Sequence, residues 1–226
     1  MEKKKLGVLF SGGKDSTMAA YLAKEQGYEI SCLISIVSEN KESYMFHTPS
    51  ISKTRNQAKI MEIPLIIYAT KGKKEKELKD LEEAMKKAKK EFGIHGIVTG
   101  AVESIYQSSR IQRICDKLDL ECFNPLWQKP QFEILDDLIK NNFKVMVTGV
   151  FAYPLSKSWL GRKIDNDFIK DIKILNEKYK ISPAGEGGEF ETFVLDCPLF
   201  KKELKIKSFK DFSTGENSWR REIEVE

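Results

Sequence analysis

Apolar and polar positions in the first half of the chain switch repeatedly between two periods. Gly7-Val8-Leu9-Phe10 is a short apolar run that stops at Ser11-Gly12-Gly13, as a buried strand does on meeting a tight turn. From Lys14 to Gln26 the residues Met18, Ala19, Leu22 and Ala23 fall at helical spacing, and Gly27 ends the run. The alternation then repeats. Glu29 to Val37 reads as a strand, Ser52 to Met61 as a helix, and Pro64 to Tyr68 as a third strand. Gly96 to Gly100 is a fourth strand, and Ser104 to Leu118 a fourth helix. Strands alternating with helices of this length imply right-handed crossovers, hence an α/β fold built on a mostly parallel, doubly wound, Rossmann-like sheet.

Lys71 to Phe92 holds nine lysines and six acids. Leu78, Leu81, Met85, Ala88 and Phe92 recur every three to four positions within it, which makes it an amphipathic helix with a solvated outer face. Past residue 120 the pattern changes. Asn124-Pro125-Leu126-Trp127 interrupts the chain, Glu133 to Lys140 is a helix, and Val145 to Phe151 a strand. A glycine-rich acidic loop spans Ser182 to Glu189, followed by strand patterns over Phe190 to Leu195 and Leu204 to Phe209. We expect a smaller C-terminal α/β domain over 123–226, packed on a first domain over 1–122.

Composition narrows the function classes. Among 226 residues, 38 are basic and 34 acidic, a net charge of +4 that gives no one-sided field for nucleic acid. The 41% hydrophobic content suits a packed protein, and no apolar run has the length of a membrane helix. Met1 to Leu6 lacks the features of a signal peptide, so a cytoplasmic protein with no membrane association is expected. Cys32, Cys115, Cys122 and Cys197 contain no Cys-x-x-Cys pair, which argues against a zinc site.

Ser11-Gly12-Gly13-Lys14-Asp15-Ser16 is the strongest local signal. Its glycines allow the backbone to approach an anion, and the first turn of the helix that follows favours negative charge. Ser11 and Ser16 add hydroxyls and Lys14 a point charge. Asp15 beside phosphates would be repulsive without a cation between them, so it predicts Mg²⁺ shared with nucleotide phosphates. The loop is not a P-loop, which needs Gly-x-x-x-x-Gly-Lys-Ser/Thr. It resembles the pyrophosphate loop of the N-type ATP pyrophosphatases, whose fold is of the adenine nucleotide alpha hydrolase type. Those enzymes adenylate a substrate oxygen, release pyrophosphate, and let a nucleophile displace AMP.

Three further stretches resemble the diphthine–ammonia ligase family. They are Tyr44-Met45-Phe46-His47-Thr48-Pro49; then Gly100-Ala101-Val102 with Ser104, Tyr106, Gln107, Arg110, Arg113 and Cys115, running on to Pro125-Leu126-Trp127; then Trp159-Leu160-Gly161-Arg162, continuing to Pro183 through Thr192. The resemblance implies ATP-dependent amidation of diphthine on translation elongation factor 2, through an acyl-adenylate, with ammonia as nucleophile. It places ATP on Ser11 to Ser16, Gly100, Ser104 and Gln107. Catalysis falls to Lys14, Asp15, Glu186, Glu189 and Glu191, whose clustered carboxylates call for a cation: Mg²⁺, ammonium, or the methylated ammonium of diphthine. His47, Tyr106, Arg110, Arg113 and Arg162 are candidates for substrate or phosphate, and Trp127 or Trp159 for a cation–π face. No glutaminase stretch is visible, so free ammonia is the expected donor, and a homodimer is compatible with the sequence. The rival readings are a tRNA-modifying thiolase or lysidine-type ligase using the same loop, and an ATP-binding module without turnover.

Overall fold

The computed structural model describes residues 3–38, 53–70 and 76–226. In its first half, β1 (Lys5–Leu9), β2 (Glu29–Ser38), β3 (Leu65–Thr70), β4 (Gly96–Val98) and β5 (Glu121–Phe123) form one sheet in the order β3-β2-β1-β4-β5. Every pairing is parallel. The connections are α1 (Lys14–Glu25), α2 (Thr54–Met61), α3 (Lys76–Phe92) and α4 (Ile105–Lys117). Near-continuous apolar strands fit here because both faces of the sheet are covered. On one face Leu81, Ala84, Met85 and Ala88 of α3 pack with Ile111 and Ile114 of α4 against Ile34, Ile36 and Ile97. That places the apolar stripe of the lysine-rich helix on the core, as its spacing requires, while Lys86 and Lys117 pair with Glu82 on the outside.

The second half combines α5 (Gln131–Lys140) and α6 (Asn166–Tyr179) with an antiparallel sheet of β6 (Lys144–Val150), β7 (Phe190–Asp196), β8 (Ile206–Gly215) and β9 (Ser218–Val225), in the order β7-β6-β9-β8. The sequence reading assigns nothing to α6 or β9 and ends the last strand at Phe209, six residues short of Gly215. These shortfalls have a physical reason. Helix α6 buries only Phe168 and Ile172 fully, β9 buries only Ile223, and β8 is an exposed edge strand with little burial to pattern it. Helix α6 instead begins on a cap, the Asp165 side chain accepting from the Phe168 N–H at 2.9 Å.

The two sheets share one core. Met18, Ala19 and Ala23 of α1 belong to the same cluster as Leu135, Val147, Phe168 and Val194 of the second half. A further cluster joins Ile60 of α2 to Met146, Phe193, Leu204 and Ile223. Among the described residues no helix is long and apolar enough to cross a membrane.

Candidate active site

Strand order reverses between β1 and β4, and the loops leaving their carboxyl ends part there to leave a crevice. The 11–16 loop follows β1, and the 99–104 loop follows β4. Gly100 lies so close to the first turn of α1 that a Cβ on it would sit 2.7 Å from both the Asp15 carbonyl carbon and the Ser16 nitrogen. Gly12 takes a left-handed φ of +78°, which glycine tolerates without strain.

Side chains hold the loop in this shape. The Ser16 hydroxyl accepts from the Ser11 N–H at 3.2 Å and lies 3.1 Å from the Ser11 hydroxyl. Lys14, only 4% exposed, donates from Nζ to both Asp15 carboxylate oxygens at 2.9 and 2.7 Å. The second sheet then reaches across. Thr192 Oγ1 of β7 accepts from the Lys14 N–H at 3.1 Å, and the Val194 N–H donates to the Gly12 carbonyl at 3.1 Å. Gln57, fully buried on α2, donates to the Gly12 and Val194 carbonyls at 2.9 and 2.8 Å. Helix α1 has no side-chain cap of its own, so a strand more than 170 residues away serves that end.

A cavity of about 460 Å³ opens over this loop. Leu9, Ile34, Ile36 and Ile111 supply apolar lining, of the kind a purine base needs. Ser11, Asp15, Ser16, Thr99, Ser104 and Gln107 supply polar lining from the first half. Gly185 to Gly188, Phe190 and Glu191 close it from the second.

The three glutamates of the acidic loop have different surroundings. Burial, with the Asp15 carboxylate nearby, pushes Glu186 above the usual carboxylate range, while Lys14 and a hydrogen bond from the Glu103 N–H oppose the shift. Glu189 accepts from the Ser182 N–H at 2.9 Å and is not among the cavity-lining residues. Burial pushes Glu191 up to about 7, against the pull of Arg220, whose Nη2 lies 3.7 Å from Oε1.

Both halves of the chain match family models described as diphthamide synthase, the N-terminal domain over residues 4–122 and the C-terminal domain over 131–224. The chain belongs to the diphthamide synthase family. It is similar to proteins named diphthine–ammonia ligase, at 32% identity to those of Mus musculus and Homo sapiens, with 90% of this chain and 83% of each relative covered. The Schizosaccharomyces pombe relative is 30% identical over 92% of this chain but only 37% of its own length. Among solved structures, a predicted subunit of tRNA methyltransferase from Methanocaldococcus jannaschii aligns at 20% identity and a TM-score of 0.45, over 88% of this chain and 99% of that one.

The remaining candidate residues sit variously in the fold. Arg110 stacks on Tyr106, its Cζ 3.4 Å from the ring centroid, and Arg113 is exposed on the same helix. Arg162 covers the Trp159 ring at 4.2 Å and pairs with Asp171 at 2.8 Å, so that indole already faces a cation. Trp127 is half-buried in the turn before α5, beside Gln128, whose N–H donates to the Val102 carbonyl at 2.8 Å. His47 lies outside the described residues. Sequence reasoning assigns no role to Gln57, Thr192 or Arg220. The signals were present: a glutamine among Ala58, Ile60 and Met61 on an apolar helix face, and one of six arginines in a lysine-dominated chain.

All four cysteines are free thiols, with Cys32, Cys115 and Cys197 buried. Burial pushes Cys32 and Cys197 up to about 12, far from a reactive thiolate. Among the described residues no three His, Cys, Asp or Glu side chains group tightly enough to hold a metal unaided. Mg²⁺ does not require such a cage, because it is bound through one or two carboxylates plus substrate phosphates. Asp15 on the cavity wall fits that mode.

Proposed function

We propose that this chain is a diphthine–ammonia ligase that couples ATP cleavage to AMP and pyrophosphate with amide formation on diphthine of elongation factor 2. The observation that carries this reading is that one cavity is walled by both residues of the 11–16 loop and the acidic loop of the second half. ATP would place its base against Ile34, Ile36 and Ile111, and its phosphates over Gly12, Gly13 and the first turn of α1. Ser11, Ser16, Ser104 and Gln107 orient it, and Lys14 compensates developing negative charge. Asp15 would hold Mg²⁺, which would supply the charge neutralisation that phosphoryl chemistry needs.

The diphthine carboxylate attacks the α-phosphorus and pyrophosphate leaves. Ammonia then attacks the acyl carbon and AMP leaves. Positioning and electrostatics provide most of the rate. Residues 1–122 would form the ATP-binding part and 123–226 the part that receives the elongation factor, in the cytoplasm.

The test is incubation with ATP, Mg²⁺, ammonium and elongation factor 2 bearing diphthine. We expect AMP release together with the small mass change of –OH becoming –NH₂. Asp15→Asn should abolish both. AMP release that responds to tRNA and not to the elongation factor would sink the reading, and no AMP under any condition would favour a binding module.

A further inference from the structure

Three glutamates in one loop suggest a shared role, but their surroundings divide them. Glu186 looks toward Asp15, Lys14 and Glu103, the phosphate end of the cavity. Glu189 is engaged with the Ser182 N–H, and Gly187 folds over it so closely that a Cβ there would lie 2.7 Å from its Oε1. Glu191 is different. Oε2 of both Glu189 and Glu191 is buried with no hydrogen-bond partner, and of the two only Glu191 lines the cavity. A buried acceptor without a donor costs about 1–3 kcal/mol, so one without a partner in the protein suits a ligand that brings a donor.

The groups around Glu191 indicate which donor. Arg220 of β9 approaches Oε1, its guanidinium 4.9 Å from the centre of the Phe151 ring. Gly149 of β6 pairs with Glu191 across the sheet, and a Cβ on Gly149 would sit 3.1 Å from Oε2 and 2.5 Å from Phe151 Cζ. Oε2 therefore adjoins a glycine and an aromatic ring. That setting is poor for Mg²⁺, which keeps several waters and wants octahedral oxygens. The Phe151 ring already faces Arg220 and is not on the cavity wall, so Oε2 offers a ligand a bare carboxylate acceptor, which suits a small monovalent cation with N–H donors.

We infer that Glu191 binds ammonium through Oε2 and takes its proton, delivering ammonia to the acyl-adenylate. The inference rests on the ligase reading above and assigns one carboxylate of the loop to the second half-reaction. One N–H bond of ammonium breaks, its electron pair stays on nitrogen, and the proton goes to the Glu191 carboxylate. The nitrogen lone pair forms the C–N bond at the acyl carbon. The bond from that carbon to the AMP oxygen breaks with its electrons on AMP, and the nitrogen sheds a second proton to solvent. Burial of the carboxyl, which raises its proton affinity toward neutrality, suits a base that must accept and then release a proton.

The experiment separates the half-reactions in the wild type and Glu191→Gln. Diphthine-dependent exchange of pyrophosphate into ATP reads adenylation. The second step is read as amide formed from ammonium, or as hydroxamate formed from hydroxylamine, which is already neutral near neutral pH. We expect Glu191→Gln to keep the exchange, to lose on the order of 10²-fold in ammonium-dependent amidation, and to use hydroxylamine at close to the wild-type rate. Unchanged ammonium turnover and KM, or loss of the exchange in a variant that melts like the wild type, would overturn the assignment.

The wild type alone offers a second measure should the variant fail to fold. At saturating ammonium its rate should bend through the titration of one carboxyl, and at saturating free-base hydroxylamine, with the nucleophile's own protonation divided out, it should not. The same bend with both nucleophiles would also overturn the assignment. A wild type that shows no diphthine-dependent exchange refutes the ligase reading instead.

Discussion

Gly100 shows how little room separates the two loops of the proposed nucleotide site. Any side chain there meets α1 backbone, which cannot swing aside as a flexible side chain can. Gly100→Ala should displace the first turn of α1, destabilise the protein by about 1–3 kcal/mol, and weaken ATP binding at least as much. Denaturant unfolding and titration calorimetry with ATP would check the two effects. Glu191 makes a second prediction at this scale. Its carboxyl is raised from 4.5 to about 7 by burial, so between those values the folded protein holds a proton that the unfolded chain has lost. Stability contributed by this group is full below the ordinary value and declines as pH rises toward neutrality. Glu191→Gln should flatten that part of the stability profile, as measured by urea midpoints across the range. A profile identical to wild type would show that the site is wetter than its burial implies.

At the scale of elements, β7 does three things at once. It pairs with β6, it presents Glu191 to the cavity, and through Thr192 and Val194 it holds the 11–16 loop of the other sheet. Thr192→Val keeps the shape and removes the acceptor for the Lys14 N–H. We expect a loss of about 1–3 kcal/mol and a raised KM for ATP, with Thr192→Ser restoring most of both. Equal ATP affinity in Thr192→Val and wild type would show that the first turn of α1 needs no outside partner.

These elements also show what the sequence could and could not convey. The strand, glycine pair and helix of the phosphate loop are contiguous in the chain, so their chemistry is legible from residue types alone. The same holds for α3, whose stripe of Leu81, Met85 and Ala88 follows one period. The clasp of Thr192 on Lys14 joins residues 178 positions apart. No local period encodes such a contact, which is why Gln57, Thr192 and Arg220 drew no assignment.

At the scale of the molecule, the core that joins α1 to Leu135, Val147 and Phe168 predicts one cooperative unfolding transition. Trp127, Trp159 and Trp219 all lie in the second half, so tryptophan fluorescence reports that half, while far-UV circular dichroism reports both. The two signals should trace the same curve against denaturant. Separate midpoints would show that the halves fold independently and that the clasp on the phosphate loop can release.

The net charge of +4 reads differently at this scale. Lysines such as Lys86 and Lys117 sit on outer helix faces beside acids, whereas Asp15, Glu186 and Glu191 line the cavity and the buried Lys14 pairs with Asp15 behind its wall. Charge is therefore sorted by location more than by total. The sequence by itself determined the parallel α/β half, the strand–glycine pair–helix of the 11–16 loop and the presence of an acidic glycine-rich loop, because each is written in contiguous residues and short-range periods. Only the tertiary structure decided that the two loops wall one cavity and that a remote strand fastens the first turn of α1. It also decided that the three glutamates occupy three different environments, since burial and partnership are properties of what packs alongside, and the packing here is between residues far apart in the chain.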